Sequence, residues 1–439
     1  MRACAPKGAN DPRRIGSGDA APRDPEVVPD RSEGPRGGRR TLPATHRAGL
    51  LALAVLALAA PALSQIPPRE KAHTLFRQGA MHLDAGDAGS AEPLLRQACL
   101  LDPGNALALS YLGHALLAQR RYSEAAEAFR ESLRLDRSSP GLGVKQRRQT
   151  ADGLGLSLAF QGLLKEAADV YASALTEDPD YPSFSYNRAC VLALDGRTGD
   201  ALQSLVAALD ADARAPGGAT LPDPSLDEDF KGLRGTPRFQ AALVMHLPPQ
   251  PNDGPSSPTM RSGAALLARG RWKEAAARLR EAATLDPSDP WAWYLLGGAL
   301  LETGPPEEAA EAFLRSLRED LAAPRLPREA VRYAGIRSGA WLLDQGRLEE
   351  ADLALRRAGS ASPNHPWPHY LLARLHAAAG RPEEALRSLE TALRHREEIS
   401  PGENLLPDPR SDPAFSSLSK APGWASAMEP LGPEPEPNP

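Results

Sequence analysis

The sequence predicts an all-α protein built as a helix-turn-helix repeat solenoid, and three observations carry that expectation. The stretches 72–215 and 256–399 are rich in Ala, Leu, Glu and Arg, residues that lose little freedom on entering a helix. Proline, which breaks helices, is concentrated elsewhere: 28 of the 44 prolines lie in 1–71, 216–255 and 400–439. Finally, the chain repeats itself. Leu109-Ser110-Tyr111-Leu112-Gly113-His114-Ala115-Leu116, followed by Tyr122-Ser123-Glu124-Ala125-Ala126-Glu127-Ala128-Phe129, returns as Trp293-Tyr294-Leu295-Leu296-Gly297-Gly298-Ala299-Leu300 followed by Pro306-Glu307-Glu308-Ala309-Ala310-Glu311-Ala312-Phe313.

Eight frames of about 34 residues fit this spacing. They begin at Ala72, Ala106, Arg148, Pro182, Ser256, Pro290, Arg332 and Pro366. Frame position 8 is small in every one: Gly79, Gly113, Gly155, Ala189, Gly263, Gly297, Gly339 and Ala373. Position 20 is always alanine, from Ala91 to Ala385. Small residues at these two positions let antiparallel helices approach closely. Position 24 supplies the facing knobs, Leu95, Phe129, Tyr171, Leu205, Leu279, Phe313, Leu355 and Leu389. Pro103, Pro179, Pro287 and Pro363 end the second helix of alternate frames, and Gly86, Gly162, Gly196, Gly270, Gly346 and Gly380 mark left-handed turns between helices.

The order of small, bulky and aromatic positions resembles the tetratricopeptide repeat. That resemblance implies helical hairpins whose first helices line a concave groove, with frame positions 2, 5, 6, 9 and 12 facing a bound peptide. Carried over, the candidate groove of the second half is Met260, Arg261, Trp291, Tyr294, Tyr333, Ile336, Arg337, Trp367, Tyr370 and Arg374. The first half offers Phe76, Arg77, Tyr111, His114, Asp152, Tyr186 and Asn187. Aromatic and Arg side chains are the types enriched at interface hot spots, and Arg can grip a carboxylate with two parallel bonds. The carboxylate clamp of chaperone-binding members requires Lys at position 5 and Asn at position 9 of its first repeat. Phe76 and Ala80, or Met260 and Ala264, stand there instead, which argues against a cochaperone.

A duplication lies above the repeat. Adding 184 to the first four frame starts gives the last four, so both blocks carry the same eight-residue insertion after their second repeat, Pro140 to Arg147 and Pro324 to Val331. Each block ends in a similar tail, Leu233-Arg234-Gly235-Thr236-Pro237-Arg238-Phe239 and Pro409-Arg410-Ser411-Asp412-Pro413-Ala414-Phe415. A terminal repeat exposes an apolar face, so both tails read as caps. The expected organisation is a disordered leader over 1–38, a signal peptide or membrane anchor over 39–64, a first block with its cap over 72–239, a Pro-rich linker over 240–255, a second block with its cap over 256–419, and a disordered Pro-rich tail over 420–439. A semi-rigid linker would make the blocks separate solenoids.

The segment 39–64 has the order of a secretory signal. Arg39, Arg40 and Arg47 precede the apolar run Ala48 to Ala60, and Ala62-x-Ser64 predicts a cut before Gln65. The length of the preceding leader suggests that the natural start lies downstream of Met1. The apolar run of about 13 residues falls short of the roughly 20 that span a bilayer. Export to a bacterial periplasm or the extracellular space is expected, with anchoring in the inner membrane through 48–63 as the alternative.

Composition excludes several functions. The net charge of -5 supplies no basic field for nucleic acid. Three cysteines cannot make a disulfide scaffold, and Cys99 and Cys190, three repeats apart, read as small buried residues. No phosphate-cradling loop, metalloprotease motif or nucleophile elbow occurs. His365, His369, His376 and His395 gather near the end, and His369 and His376 share a helix face. They occupy packing positions, with no third ligand to complete a metal site. No cofactor and no metal is expected. The predicted function is a non-enzymatic scaffold that holds a peptide or partner helix in a concave groove, the membrane being reached only through the N-terminal segment. The alternatives are a self-assembling envelope component and an accessory subunit of an envelope enzyme or secretion complex.

Overall fold

The computed structural model describes residues 67–215, 221–246, 257–400 and 403–431. The expectations for the leader and signal, for most of the connector and for the last eight residues fall outside them. The described residues group into two compact units, 67–153 and 154–431, and each is taken by itself.

The first unit holds α1 (Pro68–Asp84), α2 (Ala88–Leu101), α3 (Ala106–Ala118), α4 (Tyr122–Ser138) and the beginning of α5 (Val144–Phe160). Local chemistry sets the boundaries. Asp87 and Asn105 accept from the Ser90 and Ala108 amides, each at 3.0 Å, and so cap α2 and α3. Gly79 lies so close to Leu95 that a Cβ there would meet its Cγ at 2.7 Å, and Gly113 meets the Phe129 ring at the same distance. The small sites and the knobs therefore interlock as the frame predicts.

The second unit continues the pattern. It holds α6 (Leu164–Glu177), α7 (Pro182–Leu194) and α8 (Thr198–Arg214), then the short cap helix α9 (Pro237–Val244). Eight more helices form the last four hairpins. These are α10 (Ser257–Ala268), α11 (Trp272–Leu285), α12 (Pro290–Thr303), α13 (Pro306–Ala322), α14 (Arg328–Asp344), α15 (Leu348–Ala361), α16 (Pro366–Ala378) and α17 (Pro382–Arg394). Helix α18 (Trp424–Met428) is the last α-helix among the described residues. Proline at the first helical position starts α7, α12 and α16, where the missing N–H costs nothing. All eight frame-position-20 alanines are fully buried.

The duplicated insertion lengthens helices rather than adding a loop. Helices α4 and α13 each run 17 residues, as do α5 and α14 after them. The short turn between is pinned by a buried aspartate in the same place. Asp136 accepts from the Gly141 and Leu142 amides at 2.8 and 2.7 Å and from Arg147 at 2.7 Å. Asp320 accepts from the Arg325 and Leu326 amides, both at 2.8 Å, and from Arg357 at 2.7 Å.

Both caps exist, in a register different from the expected one. The sequence pairs Phe239 with Phe415; the structure pairs Phe230 with Phe415, in the shared pattern Asp227-x-x-Phe230-x-x-Leu233 and Asp412-x-x-Phe415-x-x-Leu418. In each, the Asp caps a 3-10 turn, accepting from Asp229 N at 3.1 Å or Ala414 N at 3.0 Å. Each Phe stands edge-on to a tyrosine of the preceding repeat. Tyr186–Phe230 centroids lie 5.6 Å apart and Tyr370–Phe415 centroids 5.5 Å, both at 89°. The second cap runs past residue 419: Ala427 and Met428 are buried against Phe415 and Leu418, so the tail is packed as far as Leu431.

Where the proline-rich connector predicts a separation, the flanking residues pack instead. One apolar core runs from Val206 through Ala241, Ala242 and Val244 of α9 to Leu267, Leu279 and Tyr294 and on to Leu375. Pro237 sits on Gly298, where a Cβ would lie 2.2 Å from the Pro237 Cβ. The first cap thus also serves as the entry cover of the second block.

Candidate functional site

The expected groove residues separate into two groups. Tyr294 and Tyr370, carried over as groove ligands, are fully buried and hold the caps. The Tyr294 hydroxyl donates to the Gly235 carbonyl at 2.5 Å, and the Tyr370 hydroxyl donates to Asp412 at 2.7 Å. Tyr186 does the same for the first cap, donating to Asp227 at 2.8 Å. Frame position 5 therefore anchors a cap in all three hairpins that carry tyrosine there beside one. A buried phenol needs an acceptor, and the cap segments supply it. Met260 is buried in the core, and Trp291 packs edge-on to Tyr294 with centroids 6.1 Å apart. Arg374 points to Asp344 and Asp412, at 3.4 and 3.8 Å. Arg261 is half-buried and lies outside the cavity described next.

The remaining four, Tyr333, Ile336, Arg337 and Trp367, converge on one cavity of about 400 Å³. Its opposite wall comes from the first block: Thr198 and Leu202 of α8, and Gly232, Leu233, Gly235 and Thr236 of the cap. The rest is Arg332 and Ala340 of α14, His365 beside α16, Leu371 within it, and Glu403 and Asn404 from the strap that follows α17. Most of these walls are apolar.

One buried electrostatic node fastens the strap. Glu403 accepts from Arg332 at 3.2 Å, lies 3.1 Å from the His365 Nε2, and accepts from the Ser400 amide at 3.0 Å. Trp367 donates its indole N–H to the Asn404 carbonyl at 2.7 Å. Burial would raise the Glu403 carboxyl, but the His365 hydrogen bond and the Arg332 charge outweigh it and hold it below the ordinary carboxylate range. Burial raises the Tyr333 phenol, which stays neutral. Arg337 differs from its neighbours: it is exposed at the cavity and has no hydrogen-bond or ion-pair partner among the described residues.

The candidate residues of the first block fall in both units. In 67–153, Phe76 and Tyr111 stack edge-on at 5.2 Å, Arg77 is exposed, and Asp152 is buried. His114 stands edge-on to Phe129 at 4.8 Å, and burial lowers its pKa to about 4. In 154–431, Asn187 is buried beside Tyr186. The C-terminal histidines go to separate partners. His369 Nε2 lies 2.6 Å from the Pro363 carbonyl, just as the Trp293 indole donates to the Pro287 carbonyl at 2.8 Å. His376 lies 3.4 Å from Glu384. Cys99 is a free, half-buried thiol, pushed up to about 11 by burial. Cys190, Asp227 and Asp229 bring ligand atoms within 4.8 Å of one another, but both Asp227 oxygens already serve the cap. No helix among the described residues is long and apolar enough to cross a membrane.

What sequence reasoning missed is the wall contributed by the first block and the register of the two caps. The shared Asp-x-x-Phe-x-x-Leu pattern was the available signal, since it places both caps against a tyrosine of the preceding repeat.

Family models agree with the repeat frames. Models described as tetratricopeptide repeat match residues 76–140, 153–218 and 342–398, and one described as TPR repeat matches 263–304. Among solved structures, the chain is similar to a tetratricopeptide repeat protein from Parabacteroides merdae, at 15% identity over 69% of this chain and 98% of that one, with a TM-score of 0.29. It is similar to YrrB, described as a TPR protein with an unusual peptide-binding site, at 17% identity over 53% and 94%, TM-score 0.27. A third is the C-terminal part of a TPR repeat-containing protein from Cytophaga hutchinsonii, at 10% identity over 66% and 95%, TM-score 0.33. No curated protein matches at the sequence level.

Proposed function

Because the chain belongs to the tetratricopeptide repeat family of protein-interaction modules, we propose that it is a non-enzymatic scaffold whose partner enters the cavity between the first cap and helices α14 and α16. The observation that carries this is the split among the groove residues. Tyr294 and Tyr370 are consumed by the chain's own caps, whereas Tyr333, Ile336, Arg337 and Trp367 face one shared space. Walled by the cap and by the 403–404 strap, that space suits the end of a peptide or a protruding side chain better than a helix laid along an open groove. The charged, apolar and small-residue order of 39–64 supports export, so the partner is sought in the cell envelope or outside it.

Affinity capture from the native envelope fraction tests this reading, with the full chain beside a double variant, Arg337→Ala with Ala340→Phe, checked for unchanged helicity. A partner retained by the parent and lost by the folded variant is the expected result. Equal capture by both overturns the cavity as the site, and no partner for either overturns the scaffold reading.

A further inference from the structure

The polar groups at the cavity define the chemistry of what it takes. Glu403 is already engaged within the chain: Arg332, His365 and the Ser400 amide address its two oxygens and balance its charge. Arg332, only 12% exposed, is spent on that same carboxylate. Arg337 is the cation left over, exposed and without a partner among the described residues. A single guanidinium matches a carboxylate, which it grips with two parallel N–H donors. A dianionic phosphate asks for more positive charge than one Arg supplies, and the nearby Glu403 carboxylate would repel the excess.

The apolar walls specify the rest. Leu202 and Leu233 from the first block face Ile336, Ala340 and Leu371 from the second. Burying an apolar body there removes hydrocarbon surface from water, and about 400 Å³ accommodates a compact ligand of that kind. We propose that the cavity binds an apolar monocarboxylate, with Arg337 as its counter-ion and the cap–α14–α16 walls as its apolar sleeve. The proposal deepens the reading of this cavity as the binding site, and rests on it. The same chemistry is presented by a free medium-chain acid and by a peptide whose last residue is large and apolar.

Calorimetric titration of the full chain with four probes separates these sources and tests the proposal. The probes are decanoate, decanol, and an acetylated tripeptide ending in leucine as its free acid and as its amide. The expected result is that at least one acid binds about 10-fold or more tighter than its neutral counterpart, the scale of one charge-assisted pair. Binding by decanoate alone assigns a free acid, and binding by the peptide acid alone assigns a chain end. Arg337→Gln, at an exposed position, should erase the acid preference without moving the melting temperature, while Ala340→Phe should weaken acid and neutral probes alike. Absence of binding by both acids overturns the proposal, as does an acid preference that survives in Arg337→Gln. Because the probes are small molecules, their result is independent of partner capture: acids that bind without a captured partner would leave this inference standing and the scaffold reading fallen.

Discussion

The Tyr294 hydroxyl and the Gly235 carbonyl, 2.5 Å apart, join the end of the first block to the sixth repeat. Tyr186 holds the other end of the same cap through Asp227, so one irregular segment is fastened from both sides. Removing the Tyr294 hydroxyl leaves a buried carbonyl without its donor, so Tyr294→Phe should cost about 1–3 kcal/mol. Gly235→Ala should cost at least as much, because its Cβ would meet the Glu329 carbonyl oxygen at 2.7 Å. Urea unfolding followed by far-ultraviolet circular dichroism measures both. A pair of variants as stable as the parent would mean that the cap is not a structural joint.

A single arginine marks a strained turn. Six frames place glycine at the turn between helices, with φ from 69° to 82°, and the second frame places Arg120 there with φ 62°. The same Schellman-type bonds close the turn, Arg120 N to Leu117 O at 2.9 Å and Arg121 N to Leu116 O at 3.0 Å. An L-residue with a Cβ is penalised by about 1–2 kcal/mol in this region, partly offset by the greater freedom of glycine in the unfolded chain. Arg120→Gly should therefore stabilise residues 67–153 by about 0.5–1 kcal/mol, read as slower amide exchange in α3 and α4. The reverse change, Gly162→Ala, should destabilise its own hairpin by a similar amount.

The repeats were legible because periodicity reports on local packing. A glycine opposite a Leu, Phe or Tyr knob recurs at fixed spacing, and the two halves of each contact lie within one hairpin. The cavity was legible only in part, because its walls meet through contacts that no local spacing records. Position 5 illustrates the difference. Tyr294 and Tyr370 carry the residue type of a binding groove, yet their hydroxyls face cap acceptors 59 and 42 residues away in sequence. His365 and Glu403 likewise meet across 38 residues. His369 was readable, since its ring takes the place of the Trp293 indole against a proline carbonyl.

The paired aspartates at the insertions make a third expectation. Asp136 and Asp320 each satisfy two backbone amides and one arginine from a buried position. Alanine at either should cost about 2–4 kcal/mol, because two amides and a guanidinium lose their acceptor together. Asparagine should cost less, since it keeps one oxygen. Burial alone would raise the Asp136 carboxyl, but the Gly141 and Leu142 amides and the Arg147 charge hold it below its ordinary value. Its contribution is complete above about pH 4 and disappears as the pH falls through that lowered value. Chemical unfolding of Asp136→Asn should accordingly show weaker acid sensitivity below pH 4 than the parent.

His114 predicts a separate pH dependence, set by the protonation of one imidazole. Half-buried against the Phe129 ring, it is held neutral by desolvation, with a pKa lowered to about 4. In the unfolded chain an imidazole takes up its proton near pH 6.5. Between these values the unfolded state binds a proton that the folded state refuses, so stability falls as the pH drops from about 6.5 to about 4 and levels off below. The loss is at most about 3 kcal/mol, at 1.36 kcal/mol for each pKa unit. Burial also lowers His369 and His376, but these lie in 154–431, so the readout must be local. Amide exchange across 106–138 should quicken over this window in the parent, after correction for the intrinsic pH dependence of exchange, and stay level in His114→Gln. An equal response in the two proteins would show that the ring is already solvated and protonates in place.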